Sequence, residues 1–346
     1  MAELKTDLDY EVEAAQKKSI FTANRFLYAS ATGLTCLIFY LLLAFTFSPR
    51  SLFEEDSESL TTHIGEPGGC SKIQFRREWR NLRKDEQLEY IDAIKCLQTT
   101  PGLYRDDQSL YGDYANLHSH AGKIGHDTTL FLPWHRYLLH NFENDLRTHC
   151  GFKGTIPYWN WVLDWEALDQ APVWDNVYGI GGNGTGEESV GHGRCVETGP
   201  FSHYQALRFG ANETHHCLSR GFLTGEKSDR YSAELQPEKL DDIMQKDDYY
   251  DFWNTLEFAA HEAIPRWIQG EFFEFTSPND PIFYFHHCQV DRLWAEWQLA
   301  DPEHRAETIF GTMVDDELEL DKLGPKTRIR DILHTDSGPL CYRYLK

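Results

Sequence analysis

Histidine is the residue type whose spacing speaks first. Sixteen are present, and the stretch HSHAGKIGHDTTLFLPWHR places His118, His120, His126 and His135 within 18 residues. Far downstream stand His261 and the adjacent pair His286 and His287. Imidazoles delivered from separate helices to the centre of a bundle bind zinc, copper or iron. No HExxH or CxxC motif names the metal. The segment HEAIPRWIQGEF, residues 261–272, poses a sharper question, because it sets a proline four positions after a histidine. Position i+4 is where a second ligand shares a helical face, and proline has no side-chain donor. His140, His149, His192, His203, His215 and His216 read as surface histidines or satisfied core ones.

Four segments with helical character must position these groups. REWRNLRKDEQLEYIDAIKCLQ, from Arg77, repeats apolar residues at Leu82, Leu88, Ile91, Ile94 and Leu97, close to the helical period. FLPWHRYLLHNFENDL, from Phe131, puts Pro133 in a first turn and Leu138, Leu139, Phe142 and Leu146 on one face. DDYYDFWNTLEFAAHEA, from Asp247, and FYFHHCQVDRLWAEWQL, from Phe283, are the third and fourth. Pro265 disfavours helical geometry at Ile264, which predicts a helix end there. Residues 164–235 are rich in Gly and Pro, and GIGGNGTG at 179–186 is loop. Strand-like alternation is scarce, so the expected class is mainly α, with helices around one core and long irregular connections. A hydrophobic content of 41% with ten Trp describes a packed interior, and a net charge of −22 excludes nucleic acid as a partner.

The 22 residues from Phe26 to Phe47 carry no charge, enough to span a bilayer. A buried core helix and a cleaved signal peptide are the alternatives. Core helices rarely run so long without charge. The apolar run also starts late and ends at Ser48-Pro49 without a small-x-small cleavage site. Lys17, Lys18 and Arg25 precede it, and Glu54, Glu55 and Asp56 follow. The positive-inside rule then gives a cytosolic tail (1–25), a transmembrane signal-anchor (26–47), an acidic stalk (48–68) and a lumenal or extracellular catalytic domain (69–346). Asn183 and Asn212 head glycosylation sequons, which agree with that topology. Beyond the span lie Cys70, Cys96, Cys150, Cys195, Cys217, Cys288 and Cys341. They allow up to three disulfides and one free thiol, with the pairing open and reduced buried thiols as the alternative.

FLPWHRYLLHNFE, with a histidine nine residues before the one in FLPWHR, resembles the first copper site of tyrosinases and haemocyanin-like proteins. SPNDPIFYFHHCQVDRLWAEWQ resembles the second. REWRNL, YIDAIKCL, PYWNW (157–161), GRCVETGPF (193–201), HCLSRGF (216–222) and the terminal CYRY are similar to the short fungal members. The resemblance runs from about residue 70 to the end of the chain. It implies a four-helix bundle holding two metal ions, each with three histidines. Position by position, the first site would be His118, His126 and His135, with His118 preferred to His120 by the family's interval of eight to the second ligand. The second would be His261, the residue four later, and His287 rather than His286. The residue four later is Pro265. Glu262 stands where the family has Asn, and Ile124 where some fungal members have a thioether-forming Cys. An oxygen from Glu262 would leave the helix about 100° away from His261.

The family's oxygen chemistry needs two coppers, so a second site short of one histidine puts phenol oxidation in question. An intact three-histidine site resembles a catalytic zinc site with an open position, where the ion polarises a carbonyl or epoxide oxygen. His261, Glu262 and His287 then become nearby acid–base groups. That combination is similar to the zinc-dependent fungal cyclopenases, which rearrange a benzodiazepinedione epoxide to a quinolinone. The preferred expectation is therefore a zinc lyase or isomerase of fungal secondary metabolism acting on a small aromatic alkaloid. A copper phenol oxidase with one or two ions is the second expectation, and a non-catalytic or O2-binding descendant the third.

Overall fold

The computed structural model describes residues 69–208, 214–306, 309 and 314–345. The expected cytosolic tail, membrane span and stalk, and Asn212, lie outside the described residues. Among the described residues no helix is long and apolar enough to cross a membrane.

Helix α1 (Lys84–Leu97) begins where the Glu86 carboxylate turns back to accept the Arg83 N–H at 2.8 Å, satisfying a donor the helix itself leaves orphaned. Helix α2 (Leu110–Gly125) begins at Ser109, whose hydroxyl accepts the Gly112 N–H at 3.1 Å. Helix α3 (Phe131–Cys150) holds Pro133 in its first turn, where the missing N–H has no helical partner to lose. It stops at Gly151, which is left-handed with φ 67°. Helix α4 (Tyr249–Thr255) is capped by Asp248, whose carboxylate accepts the Asp251 N–H at 2.9 Å. It widens into a π-helical stretch, Leu256–His261, and continues as α5 (Glu262–Ile268). Helix α6 (Ile282–Ala300) is buried almost all round. The bundle is formed by α2, α3, the α4–α5 run and α6, with α1 packed against α3.

Two elements differ from expectation. Helix α2 was not expected: Leu110, Tyr114, Leu117 and Ala121 recur at helical spacing, but Gly112, Gly122 and Gly125 each lower helix propensity by up to ~1 kcal/mol. Close approach explains two of them. A Cβ on Gly125 would stand 2.8 Å from Trp134, and one on Gly122 2.7 Å from Phe275. The second difference is α5, which passes through Pro265 to Ile268 instead of ending at Ile264. In the π stretch ahead of it, the Glu262 N–H reaches back to the Glu257 carbonyl. That wider turn makes room for the proline ring against the carbonyl four residues before it.

The core contains seven fully buried tryptophans, Trp79, Trp134, Trp159, Trp161, Trp267, Trp294 and Trp297. Beside them a buried polar clamp ties the ends of the domain to the bundle. Asp291 of α6 accepts from Arg136 of α3 at 2.5 Å and from the Tyr342 and Tyr344 hydroxyls, each at 2.5 Å. Burial opposes its charge, but Arg136 and Arg76 hold its carboxyl below the usual range. The strands Gln74–Arg76 and Tyr342–Tyr344 pair in parallel beside it. Among the described residues the cysteines pair as Cys70–Cys341, Cys96–Cys150 and Cys195–Cys217, leaving Cys288 free and buried.

Candidate metal centre

His118 lies in the last turns of α2, His126 directly after that helix, and His135 one turn into α3. Their ring nitrogens lie within 4.8 Å of one another. Each Nδ1 is held. That of His118 donates to the Phe275 carbonyl at 2.7 Å and that of His135 to the Phe131 carbonyl at 2.8 Å. That of His126 lies 3.4 Å from a carboxylate oxygen of Glu257. Carbonyls and carboxylates only accept, so the Nδ1 atoms carry the protons and the Nε2 lone pairs face inward. The Nε2 atoms of His118 and His126 are 3.1 Å apart. Two lone pairs that close repel unless a cation lies between them, and nitrogens bound tetrahedrally at about 2.0–2.1 Å sit roughly 3.3 Å apart. The residues therefore fit a metal ion, each ligand oriented by a partner on its other nitrogen.

A second cluster is formed by His261, at the end of the π stretch, with His286 and His287 in the second turn of α6. Its ring nitrogens also lie within 4.8 Å of one another. Only His261 has an anchor, its Nδ1 standing 3.3 Å from the Glu257 carbonyl. Among the described residues, both ring nitrogens of His286 and the Nδ1 of His287 are buried without a hydrogen-bond partner, as is the Nε2 of His135. Each such atom costs about 1–3 kcal/mol, a penalty that an ion removes. The clusters abut: the His135 ring stacks on that of His287 at 4.2 Å, and the centroids of His126 and His261 are 5.6 Å apart.

All five of the buried imidazoles are neutral at pH 7, as metal ligation requires. Burial, then the charge of His126, lowers His118 to about 3, and burial lowers His286 to about 3. Burial and the neighbouring imidazoles hold His135, His261 and His287 well below the ordinary range.

The structure thus brings His118, His126 and His135 together, and His261 with His287. It turns His120 outward, its Nδ1 2.8 Å from the Asn116 carbonyl. Glu262 stays outside both clusters. It lines the mouth of the site, where its Oε2 accepts from Arg266 at 2.7 Å. Asn183 is exposed. Two residues escaped the sequence reading. Glu257 is buried, accepts the Asp127 N–H at 2.9 Å and the Trp253 indole N–H at 2.5 Å, and faces His126. Its only signal is its place one turn before His261. His286 was set aside for its neighbour, although the apolar run around the pair implies that both rings are buried. Of the remaining histidines, His140 pairs with Asn144, His216 with Glu271, and His192 is exposed.

Above the clusters is a cavity of about 240 Å³, walled by Phe272, Phe273, Phe275 and Pro265, with Glu262 and Arg266 at its rim. This is below the volume of drug-sized sites and suits a single aromatic ring with a short substituent.

Residues 108–300 match the common central domain of tyrosinase. The tyrosinase-like protein phomQ1 of Diaporthe leptostromiformis is 37% identical over 314 residues, covering 82% of this chain and 80% of the relative. Tyrosinase ustQ of Aspergillus flavus is 37% identical over 287 residues, covering 80% of each. Among solved structures, a polyphenol oxidase from Thermothelomyces thermophila superimposes with a TM-score of 0.68 at 27% identity, over 79% of this chain and 89% of that one. The chain belongs to the tyrosinase family, and its fold is the helical tyrosinase and haemocyanin fold.

Proposed function

We propose that this chain is a tyrosinase-fold metalloenzyme of fungal secondary metabolism that oxidises a small phenolic substrate at a pair of copper ions. The observation that carries this reading is the meeting of two buried histidine clusters, stacked through His135 and His287 at 4.2 Å. Relatives named tyrosinase support the direction of the chemistry. Copper, when bound, supplies the redox partner for O2 and the phenol. The protein does the rest. Phe272, Phe273 and Phe275 hold the ring and exclude water, while Glu262, paired with Arg266 at the rim, is the base placed to take the phenolic proton.

A mononuclear zinc lyase, the cyclopenase-like reading, has one observation of its own: Pro265 stands where the family's ligand spacing requires a histidine. Under that reading His118, His126 and His135 hold zinc, and His261, Glu262 and His287 serve as acid–base groups. Metal content of the purified protein decides between them. About two coppers per chain with catechol oxidation establish the oxidase; about one zinc without O2 consumption establishes the lyase.

We also propose that the domain is lumenal or extracellular, anchored by residues 26–47 with the N-terminus cytosolic. Three disulfides support an oxidising compartment, and Asn183 is exposed, as a glycosylation acceptor has to be. Protection of the domain from protease in intact microsomes is the expected result; digestion without detergent overturns it.

A further inference from the structure

The replacement of a ligand by Pro265 leaves the second cluster one donor short on α5. We infer that the donor has moved to α6, and that His286 completes the second metal shell with His261 and His287. The inference rests on the dinuclear reading above and names the residue that makes it possible despite the proline.

Three observations place His286 there. Its ring nitrogens lie within 4.8 Å of those of His261 and His287. Nitrogens bound tetrahedrally to one ion at about 2.1 Å sit roughly 3.3 Å apart, so a pair at the 4.8 Å limit has to close by up to about 1.5 Å, a movement of side-chain rotation. The ring is fully buried, yet neither nitrogen has a partner among the described residues. Its other surroundings are apolar, with Phe272 at 5.5 Å and Trp161 at 6.4 Å between ring centroids. A histidine kept for packing alone would carry two unmet polar atoms into that environment. Neighbouring positions on a helix point about 100° apart, but His261 approaches from the π stretch and meets both rings, at 5.0 Å from His286 and 5.2 Å from His287. The shell therefore takes two donors from consecutive residues of one helix and one from another.

The test uses the full chain loaded with copper, read by metal analysis and by electron paramagnetic resonance. A close Cu(II) pair is magnetically coupled and silent, whereas a single Cu(II) is visible. His286→Phe keeps a planar ring of similar size and removes both donors; His286→Asn is read in its place if the first variant does not fold. The expected result is two coppers and little signal in the parent, and one copper with a full signal in the variant. Adding Pro265→His to His286→Phe should restore the second ion. Two coppers retained by a folded His286→Phe protein overturn the role of His286 while leaving the dinuclear reading intact. A parent that binds one ion overturns both.

Discussion

The two histidine clusters are built to different standards. In the first, three side chains from α2, its C-terminal flank and α3 each have the outer nitrogen engaged, by the carbonyls of Phe275 and Phe131 and beside the Glu257 carboxylate. In the second, only His261 is held, at 3.3 Å, and three ring nitrogens have no partner among the described residues. A ligand held from behind is aligned before the ion arrives, so little ordering remains when it binds. The first cluster is a preformed site. The second must be organised by its ion, and it accommodates a proline where a ligand would otherwise be required.

The comparison breaks most visibly at His135. His135→Ala takes one of three ligands from the preformed site and should lower its metal affinity by more than about 100-fold, as read by metal analysis of the folded protein. Undiminished metal would move the site elsewhere. Glu257→Gln leaves every ligand in place and removes only the charge behind His126. A loss of about 10–100-fold is expected at the first site in a chelator competition. The anchor of His261 is the backbone carbonyl of residue 257 and is untouched, so equal losses at both sites would erase the distinction drawn here. Pro265→His should act in the opposite sense, tightening the second site about tenfold with no change at the first. It also returns a backbone N–H to α5, which adds about 1 kcal/mol of stability.

Removing the metal exposes the buried imidazoles to protons. His118 and His286, ordinarily near 6.5, are lowered to about 3. Below 6.5 the unfolded chain takes up protons that the folded state refuses, so stability present above pH 6.5 is lost as pH falls toward 3. Denaturant midpoints of the metal-free protein should decline across that window, and a flat profile would contradict the burial of these rings. The smallest effect belongs to His120→Ala. The exposed ring is hydrogen-bonded to Ser119 and the Asn116 carbonyl, away from both clusters, so metal content should not change. Loss of an ion would show that His118 was the wrong choice of the two.

His118, His126 and His135 were legible because a long ordered motif surrounds them and their spacing sets which ones face inward. His261 and His287 were legible for the same reason. Helix α2 was not, since the glycines that lower its helix propensity serve contacts with Trp134 and Phe275, one of them 153 positions away in sequence. The passage of α5 through Pro265 depends on a widened turn whose only mark is a hydrogen-bond shift. Glu257 and His286 acquire their surroundings from other helices, and no spacing rule reaches across that gap. Up to three disulfides were countable, but which of the seven cysteines stays free, and which of fifteen pairings the other six adopt, is a property of the packed fold.

The Cys70–Cys341 bond closes a covalent ring across a sequence separation of 271, and both histidine clusters lie inside it. A protease that cuts one exposed loop, such as that around Glu187 and Glu188, opens this ring without dividing it. The nicked protein should migrate on a non-reducing gel as a single species of unchanged mass, and separate into two fragments only when a reductant is added. Such a molecule can be cleaved once within this domain and still present every histidine on one continuous covalent body.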